Sequence, residues 1–263
     1  MDLCMRTHQL DTIWAGKPCL WFETLESTND YAKEQIKTAG HHGMVILADA
    51  QTAGRGRRGR RWESEVGKTL AMSLCLEPKL PAEKVSGLTL VAALAVAEAI
   101  RETTGFTAGI KWPNDIVVNG KKICGILTEM TFCGGSYGVV IGIGINVNNE
   151  MFPEEIENIA GSLKLETGNE ISREQLLTAV LRKFEEFYET YLQTEDLTLL
   201  KEDYEKHLVN RDREVMVLDP AQPYQGIARG ITACGNLIVE CEGPVYKEVG
   251  SGEVSVRGLY GYV

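Results

Sequence analysis

Residues 110–148 read IKWPNDIVVNGKKICGILTEMTFCGGSYGVVIGIGINVN, and this stretch decides the fold. Within it IKW, IVV, KKICGILTEM and YGVVIGIGINV are short runs rich in β-branched residues, with only a few turn residues between one and the next. A parallel crossover needs a dozen or more connecting residues, so connections this short favour a mixed or antiparallel sheet over a regular βαβ alternation.

On the N-terminal side, residues 86–104 have helical apolar spacing and end at Gly105. Before them TLAMSLCLE (69–77) alternates as a strand and VILAD (45–49) reads as a buried one. Ser27 or Thr28 can cap a helix through YAKEQIKT that stops at Gly40. On the C-terminal side, S-R-E-Q at Ser172 fits a capping box for a helix running to about Gln193, and LKEDYEKHL adds another. After Asn210 the pattern changes to REVMVLD, YQGIARGIT, NLIVEC and VYKEVG, short strands punctuated by Pro220, Pro223, Gly235 and Gly243-Pro244. The expected class is α+β: a mixed β-sheet with flanking helices over 1–209, then a small β-barrel over 210–263 too small to stand without packing on the larger unit.

The 263 residues are 44% hydrophobic and 24% charged, which fits a globular chain and disfavours disordered, collagen-like and membrane classes. The longest apolar run, 88–100, is alanine-rich, shorter than a bilayer span and interrupted by Glu98, so it reads as a buried helix. MDLCMRTHQLD lacks the apolar core of a secretory signal, which makes the cytoplasm the expected location. Seven cysteines form no C-x-x-C pair and are expected as free, mostly buried thiols; the four histidines lack zinc-ligand spacing. A net charge of -10 opposes general nucleic-acid binding, which depends on Lys and Arg, although one arginine cluster stands apart.

That cluster is GRGRRGR at 54–60, where glycines between four arginines let backbone amides and guanidinium groups close on one polyanionic ligand. A solvated basic loop or a nucleic-acid patch would read the same way. Lys111-Trp112-Pro113-Asn114-Asp115 follows, with Lys121-Lys122 opening the next strand. A proline-fixed turn there presents amide, carboxylate and ammonium groups together, and Asp115 could hold Mg2+ alongside substrate phosphates; a surface turn with an exposed lysine is the plain alternative. GIGINVN (142–148) ends an apolar strand with small residues that admit a flat ring close to the backbone, where Asn146 would read an exocyclic amine, or it is a simple tight turn.

In this order, and preceded by E-S-T-N-D at 26–30, these segments together resemble the biotin protein ligase family. The motifs that carry the resemblance are S-T-N, Q-x-A-G-R-G-R-R-G-R-x-W (51–62), K-W-P-N-D, K-x-x-G-I-L (122–127), G-I-G-I-N and the C-terminal G-E-V-S-V-R (252–257). The resemblance spans nearly the whole chain. It implies a biotin/lipoate ligase-like catalytic domain followed by an SH3-like β-barrel.

It further implies a biotin pocket of Ser27, Thr28, Asn29, Gln51, Arg55, Gly56, Arg57, Trp62, Lys122 and Gly125, with Lys122 and Arg55 as catalytic groups. Arg57, Arg60, Lys111, Trp112, Asn114, Asn146 and Arg257 would bind the nucleotide, and Asp115 a Mg2+ held through phosphates. The implied substrates are ATP and biotin, joined as biotinyl-AMP, and the implied partner is a biotin carboxyl carrier protein whose lysine accepts biotin. Homodimerisation occurs in the family and the sequence does not fix it. Some members carry an N-terminal helix-turn-helix domain, but 26 residues precede Ser27 here, so neither repression nor specific DNA binding is expected, and no membrane partner. Relatives also cover adenine with a tryptophan after the G-I-N strand, which this chain lacks. A lipoate ligase and a nucleic-acid-binding module are the alternative readings.

Overall fold

The computed structural model describes residues 5–7, 9–60, 62, 65–133, 135–219, 222–243, 245–251, 255–258 and 262. Cys4, His8, Pro220 and Pro244, and the side chains of Cys133 and Arg257, lie outside the described residues. In chain order the larger unit comprises β1 (Met5–Thr7), β2 (Cys19–Leu25), α1 (Thr28–Gln35), β3 (Val45–Gln51), β4 (Thr69–Leu76), α2 (Gly87–Thr104), β5 (Gly109–Lys111), β6 (Asp115–Val118), β7 (Lys121–Cys133), β8 (Ser136–Asn146), α3 (Leu163–Thr167), α4 (Arg173–Thr194) and α5 (Lys201–His207). Then come β9 (Glu214–Leu218), β10 (Tyr224–Ile231), β11 (Leu237–Cys241), β12 (Val245–Val249) and β13 (Ser255–Gly258).

Eight strands form one mixed sheet in the order β1-β2-β3-β4-β8-β7-β6-β5. The β5 to β8 ladder is antiparallel throughout, as the short connections require. Asn119 and Gly120 both take positive φ between β6 and β7, the conformation that two-residue hairpins need. β2 and β3 are parallel, with α1 as the crossover between them. The opening was expected as a helix followed by a strand; β1 and β2 precede that helix, and CLWFETL carried too mixed a pattern to be read as a strand. α1 is also shorter than expected, because the helix ends with Ile36 as its cap rather than running on to Gly40.

Period-2 alternation sorts the sheet into two faces. Leu70, Met72 and Leu74 of β4 and Ile141, Ile143 and Ile145 of β8 point into the main core with α2 and α4. Cys75 and Val140 pack instead with Ala32 and Ile36 of the α1 segment on the opposite face. α2 is buried along most of its length, as its alanine-rich run predicts, and Gly87 admits Tyr191 of α4 so closely that a Cβ would lie 2.4 Å from the hydroxyl. Glu185 of α4, 3% exposed, accepts backbone hydrogen bonds from Ile13, Trp14 and Ala15 at 2.9, 2.5 and 2.7 Å, which fixes the segment leading into β2.

The five C-terminal strands form an antiparallel sheet in the order β12-β11-β10-β9-β13. That order is compatible with the small barrel expected, and β13 was not foreseen as a strand. Val215, Val217, Val239 and Val256 belong to the same core cluster as α2 and the large sheet. The junction is tied by Trp112, whose backbone N–H donates to Asn210 Oδ1 at 2.8 Å and whose indole Nε1–H donates to Gly235 O at 2.9 Å. Cys19, Cys75 and Cys124 are buried free thiols, whereas Cys234 is exposed, contrary to the expectation of burial. Burial pushes the Cys19 and Cys75 thiols up to about 12.

Candidate active site

α1 covers only part of its face of the sheet, and beside it opens a cavity of about 1680 Å3. One small-molecule pocket usually measures roughly 300–1,000 Å3, so this volume accommodates two substrates side by side. The floor is a glycine stripe on β7 and β8. A Cβ on Gly142 would lie 2.2 Å from Asn29 Oδ1, and one on Gly144 would lie 2.6 Å from the Trp62 ring. The small residues of G-I-G thus make room for Asn29 and for an indole from the protein itself. The Trp62 Nε1–H is buried there without a hydrogen-bond partner.

At one end of the floor stands a polar group carried by α1. Ser27 caps the helix, accepting from Asp30 N, and turns Thr28 and Asn29 inward. Thr28 donates from its N–H and its hydroxyl to Gln51 Oε1 at 2.9 and 3.2 Å. Ser73, fully buried on β4, lies 2.8 Å from Thr28 Oγ1 and 2.6 Å from Asn29 Oδ1. Asn29 Nδ2 donates to Glu129 Oε2 at 2.8 Å, and Glu129 is held in turn by Lys33 at 2.8 Å. A side chain clamped on both its oxygen and its nitrogen presents a fixed pattern to a ligand, the requirement for recognising a buried polar head.

The same cavity carries a cationic set. Residues 54–60 and Trp62 are tied together by Trp62 N to Gly54 O at 3.0 Å and Gly56 N to Arg60 O at 2.7 Å. Arg55 pairs with Asp30 of α1, and Arg57 donates to Asn114 Oδ1 at 2.7 Å and to the carbonyl of Ser251, in the turn that follows β12. Burial of Arg57 opposes its charge and pulls its pKa down, with Asp115 acting in the other direction. Lys122 Nζ lies 2.7 Å from Asp115 Oδ1 and 5.9 Å from the Trp62 ring centre. Lys111 is 7% exposed and places Nζ 3.5 Å from the ring centre of Tyr262, whose hydroxyl donates to Asp115 Oδ2 at 2.5 Å.

Every candidate residue from the sequence lines this one cavity except Arg257, whose side chain lies outside the described residues; its neighbours Val256 and Gly258 do line it. Trp112 turns little of itself to the cavity, being 2% exposed with its indole spent on Gly235. Asn146 Nδ2 donates to Gly161 O at 3.0 Å. Sequence reasoning missed Ser73, Glu129, Tyr262 and the wall at 149–160, where Met151 is 84% exposed. Ser73 was findable as the lone hydroxyl inside the apolar strand LAMSLCL, whereas nothing local marks Tyr262.

Residues 21–146 match the model of the Biotin/lipoate A/B protein ligase family, and residues 212–257 that of the Biotin protein ligase C terminal domain. The two matches define the class, a ligase built from these two modules. The Bacillus subtilis bifunctional ligase/repressor BirA is 38% identical over 241 residues, 90% of this chain and 74% of that protein. The Paracoccus denitrificans biotin--[acetyl-CoA-carboxylase] ligase is 32% identical over 233 residues, 86% of this chain and 95% of its own. The solved biotin protein ligase from Aquifex aeolicus in complex with biotin and ATP superposes with a TM-score of 0.81 at 33% identity, covering 90% of this chain and 97% of that one. The chain belongs to the biotin protein ligase family.

Proposed function

We propose that this chain joins biotin and ATP into biotinyl-5'-AMP with release of pyrophosphate, then transfers biotin to a lysine of a carboxylase carrier domain. One observation carries the reading: a clamped polar set (Ser27, Thr28, Asn29, Gln51) and a cationic set (Arg55, Arg57, Lys111, Lys122) line one cavity whose glycine floor carries the Trp62 indole. A ureido ring has two N–H donors and one carbonyl acceptor, and leaving one unpaired costs about 1–3 kcal/mol, so the polar end suits biotin's head. The valeryl chain then leads its carboxylate toward Lys122.

In the first step a carboxylate oxygen of biotin attacks the α-phosphorus, the bond to the bridging oxygen breaks, and pyrophosphate leaves with the electron pair. Lys122 and Arg55 hold the attacking carboxylate in place, while Arg57, Arg60 and Lys111 face the charge on the phosphates, with Asn114, Asn146, Trp112 and Arg257 completing the nucleotide side. In the second step the carrier lysine's amine attacks the acyl carbon, the acyl–phosphate bond breaks, AMP leaves and the amine gives up a proton to solvent. The arginine loop and Trp62 would keep water from the mixed anhydride between the steps.

Mg2+ would accompany the phosphates. Among the described residues no group of three or more His, Cys, Asp or Glu is placed to hold a metal ion, and both Asp115 oxygens already have partners, so the phosphates would supply most of the ion's anchoring. The same reading divides the chain into a catalytic domain over 1–209 and a C-terminal domain over 210–263, and places the reaction in the cytosol. Among the described residues no helix is long and apolar enough to cross a membrane.

The test is pyrophosphate release from MgATP with biotin or lipoate, with and without a biotin carrier domain, followed by mass analysis of the carrier. Biotin-dependent release and a biotin-sized mass gain are expected. Preference for lipoate would overturn the reading of the polar end, and no release with either acid would overturn the enzymatic reading.

A further inference from the structure

We infer that Tyr262 is a positioning residue of the adenylation site, acting through Asp115 on Lys122 and through its ring on Lys111. The inference rests on the ligase reading and extends it to a residue from the far end of the chain. Three adjacent strands bring Lys111, Asp115 and Lys122 together. Lys111 and Asp115 are register partners across β5 and β6, and Lys122 reaches Asp115 from β7 at 2.7 Å. Taken alone, Asp115 would draw Lys122 away from an incoming substrate carboxylate, because the two anions compete for the same ammonium.

Tyr262 changes that balance. Its hydroxyl donates to Asp115 Oδ2 at 2.5 Å, which takes up part of the carboxylate's charge, turns Oδ1 toward Lys122 and leaves the ammonium able to share itself with substrate. Burial, then the Asp115 charge, push the Tyr262 hydroxyl above its ordinary value, so it remains a donor at all working pH. The ring meanwhile lies 3.5 Å from Lys111 Nζ, where its face holds an ammonium that is itself buried. Tyr262 lines the cavity together with Val256 and Gly258.

Two substitutions separate the roles. Tyr262→Phe keeps the ring and removes the donor, so the KM for biotin should rise about tenfold with a matching fall in the adenylation rate, the scale of one charge-assisted hydrogen bond, while the KM for ATP stays within about twofold. Tyr262→Leu removes the ring as well and should also raise the KM for ATP. In an Asp115→Asn background Tyr262→Phe should have no further effect, because the group it acts through has lost its charge. Melting curves establish that each variant is folded. Wild-type kinetics for Tyr262→Phe, or an undiminished Tyr262→Phe effect in the Asp115→Asn background, would overturn the inference. Absence of biotin-dependent pyrophosphate release by the unaltered protein would instead remove the ligase reading beneath it.

Discussion

Two side chains decide how the cavity works, and each is held by a neighbour of the opposite kind. Lys122 sits against Asp115, so its ammonium enters the reaction already oriented. Replacing it with alanine should lower pyrophosphate release by about two to three orders of magnitude, the scale for losing one well-placed electrostatic group, measured under saturating ATP. Trp62 lies on Gly144 with no room for a further carbon, since a Cβ would come within 2.6 Å of the ring. Gly144→Ala must therefore lift the indole from the floor, and the affinity for biotin, read by calorimetry, should fall at least about tenfold through lost packing. Both K-x-x-G-I-L and G-I-G were legible in the sequence as small and charged residues at a site. What the glycines make room for was not, because the indole reaches them from a loop some eighty positions away in the chain.

At the level of elements, the sheet divides labour between its faces: α2 and α4 seal one, and α1 seals half of the other. Helix α2 also carries the link to α5. Glu98 accepts from Arg101 at 3.0 and 2.6 Å and lies 2.8 Å from His207 Nε2, whose Nδ1 lies 2.8 Å from the Ala108 carbonyl. Burial alone would raise the Glu98 carboxyl, but the hydrogen bonds from Arg101 and His207 outweigh it and hold it below the ordinary glutamate value. A depressed carboxylate contributes stability that is present above its unfolded pKa and lost as pH falls through the folded one. Wild type should therefore exceed Glu98→Gln in stability at neutral pH, and the gap should close on acidification below the ordinary glutamate range, as followed by urea titrations across pH. A gap independent of pH would assign the pair no ionic role. Helices α2 and α4 were legible from apolar spacing and caps. The short α3, its N-cap Ser162 accepting from Leu165 N, was not, because five residues hold too few apolar positions to show a period.

For the molecule as a whole, one core runs from the large sheet into the C-terminal strands, and Trp112 crosses the junction. Two units that share a core should melt as one: calorimetry should show a single transition, with Trp112→Phe lowering its midpoint through the lost bond to Gly235, worth about 0.5–1.5 kcal/mol. Two resolved transitions would mean that the C-terminal strands fold independently of the junction. The sheet class, the principal helices, the change of pattern after Asn210 and the polar motif residues of the cavity could be read from the sequence, because short turns, apolar periods and polar motifs are written in adjacent positions. Only the tertiary structure decided that Ser73 and Glu129 clamp Asn29, that Trp62 rests on Gly144, and that Tyr262 meets Asp115 across 147 positions. Contacts between residues that distant are set by how strands pair and which face each side chain takes, and no local spacing encodes them.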